Sequence, residues 1–199
     1  MPAAQPQPPD EVVEAVRSTL AHFESHPDQA SRLQTLAESD PGNLSMDSPH
    51  EVFTLGLDQV QSEADLESAR STGWRYLLHE GDRLVASAEA VVSPEGRTMF
   101  SHFNSGPFVA STAEALERLE SIAEARTETL EPRLLHVPAL YAMALWLHGA
   151  DGDDVVLPLR PAPPTVDPDR EYAPEEYLGA LREAAATVPD VGPDDTTGG

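Results

Sequence analysis

Trp74-Arg75-Tyr76-Leu77-Leu78-His79 and Arg83-Leu84-Val85-Ala86-Ser87-Ala88-Glu89-Ala90-Val91-Val92 stand on either side of Glu80-Gly81-Asp82. Both runs are rich in apolar residues, and the short glycine-containing segment between them is a hairpin signal. The pair therefore reads as two antiparallel strands. Successive side chains of a strand alternate between its faces, so Leu84, Ala86, Ala88 and Ala90 point one way and Val85, Ser87, Glu89 and Val91 the other. The alanine-rich side leaves room for a helix to pack closely.

Working outward, Val52, Phe53, Leu55 and Leu57 suggest an earlier strand. A short helix is expected from Ser62, carrying Ala64, Leu66 and Ala69 and ending near Gly73. Ser93-Pro94-Glu95-Gly96 is a turn into a strand over Thr98 to Phe103, which Asn104-Ser105-Gly106-Pro107 breaks. Ser111 and Thr112 can cap a helix with the apolar stripe Leu116, Leu119, Ile122 and Ala123. Arg133 to Val137, Leu140 to His148 and Val155 to Leu157 read as further strands around the turn Asp151-Gly152-Asp153-Asp154, although Leu140 to Leu147 also suits a buried helix. The expected fold is α+β: a mostly antiparallel sheet of six to seven strands with one principal packed helix, a helical N-terminal extension and a C-terminal helix.

Domain bounds follow from composition. Residues 1–9 carry four prolines and read as a disordered arm. Residues 10–48 read as a helical extension and linker, with Val12, Val13, Val16, Leu20 and Phe23 at helical spacing and a shorter helix over Ala30, Leu33, Leu36 and Ala37. Residues 49–160 make the α+β core. Residues 161–199 combine a proline-rich segment, a helix opened by Pro174 with Leu178, Leu181 and Ala185 along one stripe, and a disordered tail.

Thirty-five carboxylates face twelve arginines, with no lysine and no cysteine, for a formal net charge of −23. Local sums over residues 1–48, 49–110, 111–160 and 161–199 are −6, −5, −5 and −7, so the acidity is a coat and not a tail. Such a surface repels polyphosphate and anionic lipid, which disfavours direct nucleic-acid and membrane partners. Missing cysteine removes disulfides, thiolate nucleophiles, iron–sulfur clusters and cysteinyl zinc sites. Missing lysine removes the Walker A loop and Schiff-base chemistry. Met1 to Asp10 shows no targeting pattern, and the longest apolar run, Ala139 to Leu147, is too short to span a bilayer. A cytoplasmic protein without a cofactor is expected.

Reactive constellations are sparse. His22 and His26 lie one helical turn apart, but the glutamate that a zinc-protease helix needs is missing. The Asp151-Gly152-Asp153-Asp154 turn fails the calcium-loop pattern at Val155 and Ala162. The nucleophile-elbow pattern is absent around Ser105 and Ser111. Glu89 is the acid within an apolar strand; with His102 and His136 it forms the weak candidate catalytic set, should neighbouring strands bring them to one cleft. Trp74, Trp146, Leu178 and Leu181 are the candidate partner-contact residues.

The leading expectation is a non-catalytic protein-interaction or regulatory module. Its alternatives are a small enzyme or ligand-binding protein built around Glu89, His102 and His136, and an acidic inhibitor that mimics nucleic acid by displaying rows of carboxylates.

Overall fold

In the computed structural model, which describes residues 6–62, 65–93, 95–126, 129–150 and 152–187, two antiparallel meanders join into one seven-stranded sheet. The first holds β1 (Leu44–Thr54), β2 (Arg70–Glu80), β3 (Arg83–Val92) and β4 (Thr98–Asn104); the second holds β5 (Leu130–Val137), β6 (Ala142–Gly149) and β7 (Val155–Pro158). The helices are α1 (Asp10–Ser25), α2 (Pro27–Ala30), α3 (Leu57–Gln61), α4 (Pro107–Arg126) and α5 (Pro174–Ala185). Strand order is β4-β3-β2-β1-β5-β6-β7, and among the described residues the β1–β5 pairing alone is parallel. A parallel pair needs a long crossover, and α4 supplies it by running from the edge strand β4 back to β5.

The expected α+β, mostly antiparallel architecture is present, and the alanine face of β3 is covered by a helix. Val12, Val16 and Leu20 of α1 pack on Ala86, Ala88 and Ala90 and on Tyr76 and Leu78. Each of the three α1 side chains removed from water contributes about 1.5–3 kcal/mol. Farther along the same face, Tyr177, Leu178 and Leu181 of α5 cover Leu135, Ala144 and Trp146. On the opposite face, Ala115, Leu119, Ile122 and Ala123 of α4 cover Leu134, Leu145 and Leu147. Both terminal helices are thus parts of the core that the sheet organises.

Four local expectations change. β1 begins at Leu44, inside the stretch read as linker, because Ser48 in a left-handed conformation (φ 49°) and a bulge between Asp47 and His50 interrupt its alternation without ending the pairing. The helix expected from Ser62 is replaced by α3 before it and a single 3-10 turn over Leu66–Ser68, with β2 starting at Arg70. α4 starts at Pro107, one turn ahead of Ser111, since a proline suits the first helical position. The shorter helix expected over Ala30 to Ala37 ends at Ala30, the last residue of α2, and turns follow it. Ala142–Gly149 is a strand, as expected for Leu140 to His148. The disordered tail expected from residue 188 lies outside the described residues.

Gly73 of β2 abuts its neighbour strand. A Cβ there would stand 2.2 Å from the Ala90 carbonyl oxygen and 3.0 Å from the Val91 Cα, both backbone atoms that cannot swing aside. Gly73→Ala is expected to lower the free energy of unfolding by about 1–3 kcal/mol, the usual cost of overpacking. Denaturant unfolding with an unchanged midpoint would contradict this close approach.

Candidate polar recess beneath helix α4

Register places four polar side chains in a row across the first meander. His50 of β1 lies opposite Arg75 of β2, Arg75 opposite Glu89 of β3, and Glu89 opposite His102 of β4. Opposed residues share a face of the sheet, and here it is the α4 face. Glu89 therefore does not point to open water: its side chain is 14% exposed and that of Arg75 3%. Arg75 Nε donates to Glu89 Oε1 at 2.7 Å, and a terminal guanidinium nitrogen donates to the same oxygen. Asn104 Nδ2 adds a third donor to that oxygen at 3.0 Å. His102 Nε2 stands 3.8 Å from Glu89 Oε2, beyond hydrogen-bond distance, while its Nδ1 is 2.7 Å from the Ser101 hydroxyl.

His50 closes the row from the other end. Its Nδ1 donates to the Ser48 carbonyl at 2.8 Å; a carbonyl only accepts, so this bond fixes the tautomer. Nε2 is then a buried lone pair with no hydrogen-bond partner among the described residues. Desolvation, aided by the Arg75 charge, pushes the imidazole pKa down to about 3.

His136 of β5 lies on the same face, across a recess of about 200 Å³ from Arg75. Asn104, Ser105, Phe108, Val109, Tyr141 and Met143 complete the lining. Burial first, and then the Arg75 guanidinium, lower the His136 pKa, with Glu89 opposing them. Its ring is therefore neutral near pH 7, and it makes no side-chain hydrogen bond among the described residues. Among the described residues, the outer edge of the Arg75 guanidinium meets only the Met143 thioether, at 3.8 and 3.9 Å, a weak acceptor. Tyr141 stands at the rim, 68% exposed and edge-on to Phe108 with ring centroids 5.2 Å apart. Its backbone is left-handed (φ 49°, ψ 43°), a conformation that a tyrosine adopts at a cost of about 1–3 kcal/mol.

Glu89, His102 and His136 thus lie on one face of the sheet, but only Glu89 and His102 approach each other, and His136 faces Arg75 across the recess. Arg75, Asn104, His50 and Tyr141 were not among the sequence candidates. Of the expected partner contacts, Trp146, Leu178 and Leu181 are buried in the chain's own core, and Trp74 is half-buried beside α1. Docking in cis consumes them because their apolar neighbours are within the same fold. His22 and His26 stack with centroids 4.4 Å apart; His22 engages Gln29 and His26 the His22 carbonyl. No helix among the described residues is long and apolar enough to cross a membrane. Comparisons with family models, curated proteins and solved structures returned no match.

Proposed function

We propose that the protein is a small-molecule-binding domain whose ligand enters the recess between Arg75 and His136. The observation that carries this reading is the guanidinium of Arg75: almost wholly buried, and offering to a hollow those outer N–H groups that Glu89 does not take, for which a thioether is the sole partner among the described residues. A carboxylate or carbonyl oxygen would satisfy those donors far better than sulfur. Asn104 and the neutral His136 supply further polar contacts, and Phe108 and Tyr141 supply flat apolar surface.

Size and charge narrow the ligand class. At about 200 Å³ the recess falls below the roughly 300–1,000 Å³ of drug-sized sites, so the ligand is a small metabolite. Glu89 already balances Arg75, and the surrounding chain carries −23, which disfavours dianionic phosphates relative to monocarboxylates and neutral carbonyl compounds. Within this reading His136 is the group placed to accept a hydrogen bond or a proton.

Two sequence expectations receive less support. A partner-contact module loses anchors that are buried within the chain, and a nucleic-acid mimic needs rows of carboxylates, whereas the row across β1–β4 reads His50, Arg75, Glu89, His102.

Ligand-observed NMR with benzoate, pyruvate and methyl phosphate as separate probes tests the reading. Saturation transfer is expected to a monocarboxylate and not to methyl phosphate, and Tyr141→Ala, a change at the exposed rim that spares the core, should weaken binding about tenfold or more, as loss of an aromatic anchor does. Absence of transfer to every probe, or transfer indifferent to Tyr141→Ala and His136→Gln alike, would remove the recess from consideration.

A further inference from the structure

On the opposite face of the sheet, three chain segments bring Glu67, His148 and Asp154 together. Glu67 comes from the 3-10 turn before β2, His148 from β6 and Asp154 from the β6–β7 connection. One donor atom from each lies within 4.8 Å of the other two, so a point exists no more than about 2.8 Å from all three. We propose that these residues form a binding site for one zinc ion per chain, distinct from the recess under α4.

Donor chemistry selects the metal. One imidazole and two carboxylates suit zinc, whereas calcium and magnesium prefer all-oxygen shells. His148 Nδ1 lies 3.1 and 3.3 Å from the two Asp154 oxygens. Adjacent ligands of a tetrahedral zinc, each about 2.0–2.1 Å from the metal, are about 3.3 Å apart. The same spacing thus serves a hydrogen bond without the ion and a coordination edge with it, the ring proton moving to Nε2. Exposed Glu67, which makes no hydrogen bond among the described residues, needs only a side-chain rotation to close the remaining distance.

The support around Asp154 is already built. Its carboxylate side chain is 9% exposed; Oδ2 accepts from Trp146 Nε1 at 2.6 Å and Oδ1 from the Gly149 amide at 2.9 Å. Donors outside the ligand set that hold a carboxylate in one orientation are what metal sites use to fix their ligands. The nearby Arg133 guanidinium lies over the Trp146 ring but is paired with Glu131, so its charge is balanced. Three protein ligands leave a fourth zinc position for water.

Chelator-treated full-length protein titrated with zinc chloride by calorimetry tests the site. One ion per chain is expected, with affinity reduced about tenfold or more by Glu67→Gln and by His148→Gln, and unchanged by His22→Gln. Because Glu67 is exposed, its variant should unfold like the wild type without metal, and it decides the matter even if His148→Gln destabilises the fold. No zinc uptake, or uptake that survives Glu67→Gln, overturns the proposal. Neither result bears on the recess, which is probed by monocarboxylates.

Discussion

Arg75→Met is expected to lower the free energy of unfolding by about 3–5 kcal/mol, among the largest effects of any single change in this chain. The cause is what the substitution leaves behind. Glu89 Oε1 loses two of its three donors and keeps Asn104, while its other oxygen has, among the described residues, only His102 at 3.8 Å. A carboxylate that is 14% exposed cannot recover that solvation from water, so it must either stay charged at high cost or take up a proton. Replacing both partners removes the stranded charge. Arg75→Met/Glu89→Leu should therefore be more stable than Arg75→Met alone, with the double-mutant cycle giving a coupling energy of the order of 1–3 kcal/mol. Urea unfolding of the four proteins measures it. An Arg75→Met variant within about 1 kcal/mol of the wild type would mean that the pair is solvated and that the row is not an enclosed network.

That row explains why the fold was readable in the sequence and the site was not. Turn chemistry at Glu80-Gly81-Asp82 and the alternation in Leu84 to Val91 locate two paired strands and the helix-facing alanines without knowledge of register. The site depends on register. A plain hairpin closing on Glu80 and Arg83 pairs Arg75 with Ala88 and leaves Glu89 opposite Trp74. The irregularity between Leu78 and His79 adds one residue on the β3 side and brings Arg75 opposite Glu89 instead. A one-residue shift moves a side chain to the other face of the partner strand, so an error of that size erases the ion pair from any sequence-level picture. His136 and Tyr141 reach the recess through the β1–β5 parallel pairing and a left-handed turn, neither of which leaves a local signature. Sequence singles out Glu89 because an acid within an apolar strand is conspicuous; its arginine partner is hidden among residues that look like ordinary strand surface.

Acid lability should have one dominant internal source, His50. Its pKa is about 3 when folded and about 6.5 when the chain is unfolded, so below pH 6.5 the unfolded state binds a proton that the folded state refuses. Stability contributed by the neutral ring is complete above pH 6.5 and is lost as pH falls towards 3, at about 1.4 kcal/mol per pH unit and roughly 4–5 kcal/mol in all. Protonation is resisted because Nε2 is buried without an acceptor, Nδ1–H already occupies the Ser48 carbonyl, and the guanidinium of Arg75 stands opposite. Surface carboxylates act in the other direction, since neutralising a chain of charge −23 relieves self-repulsion. The expected signature is therefore a difference between two proteins. His50→Gln, which keeps a donor for the Ser48 carbonyl and does not titrate, should be less stable than the wild type at pH 8 and close that gap by about 4 kcal/mol on acidification to pH 3.5. Parallel curves of unfolding free energy against pH for the two proteins would show that the imidazole reaches solvent. The row across β1 to β4 would then be open at its His50 end, and the low-dielectric setting that makes Arg75 an effective anchor for a carboxylate would be lost with it.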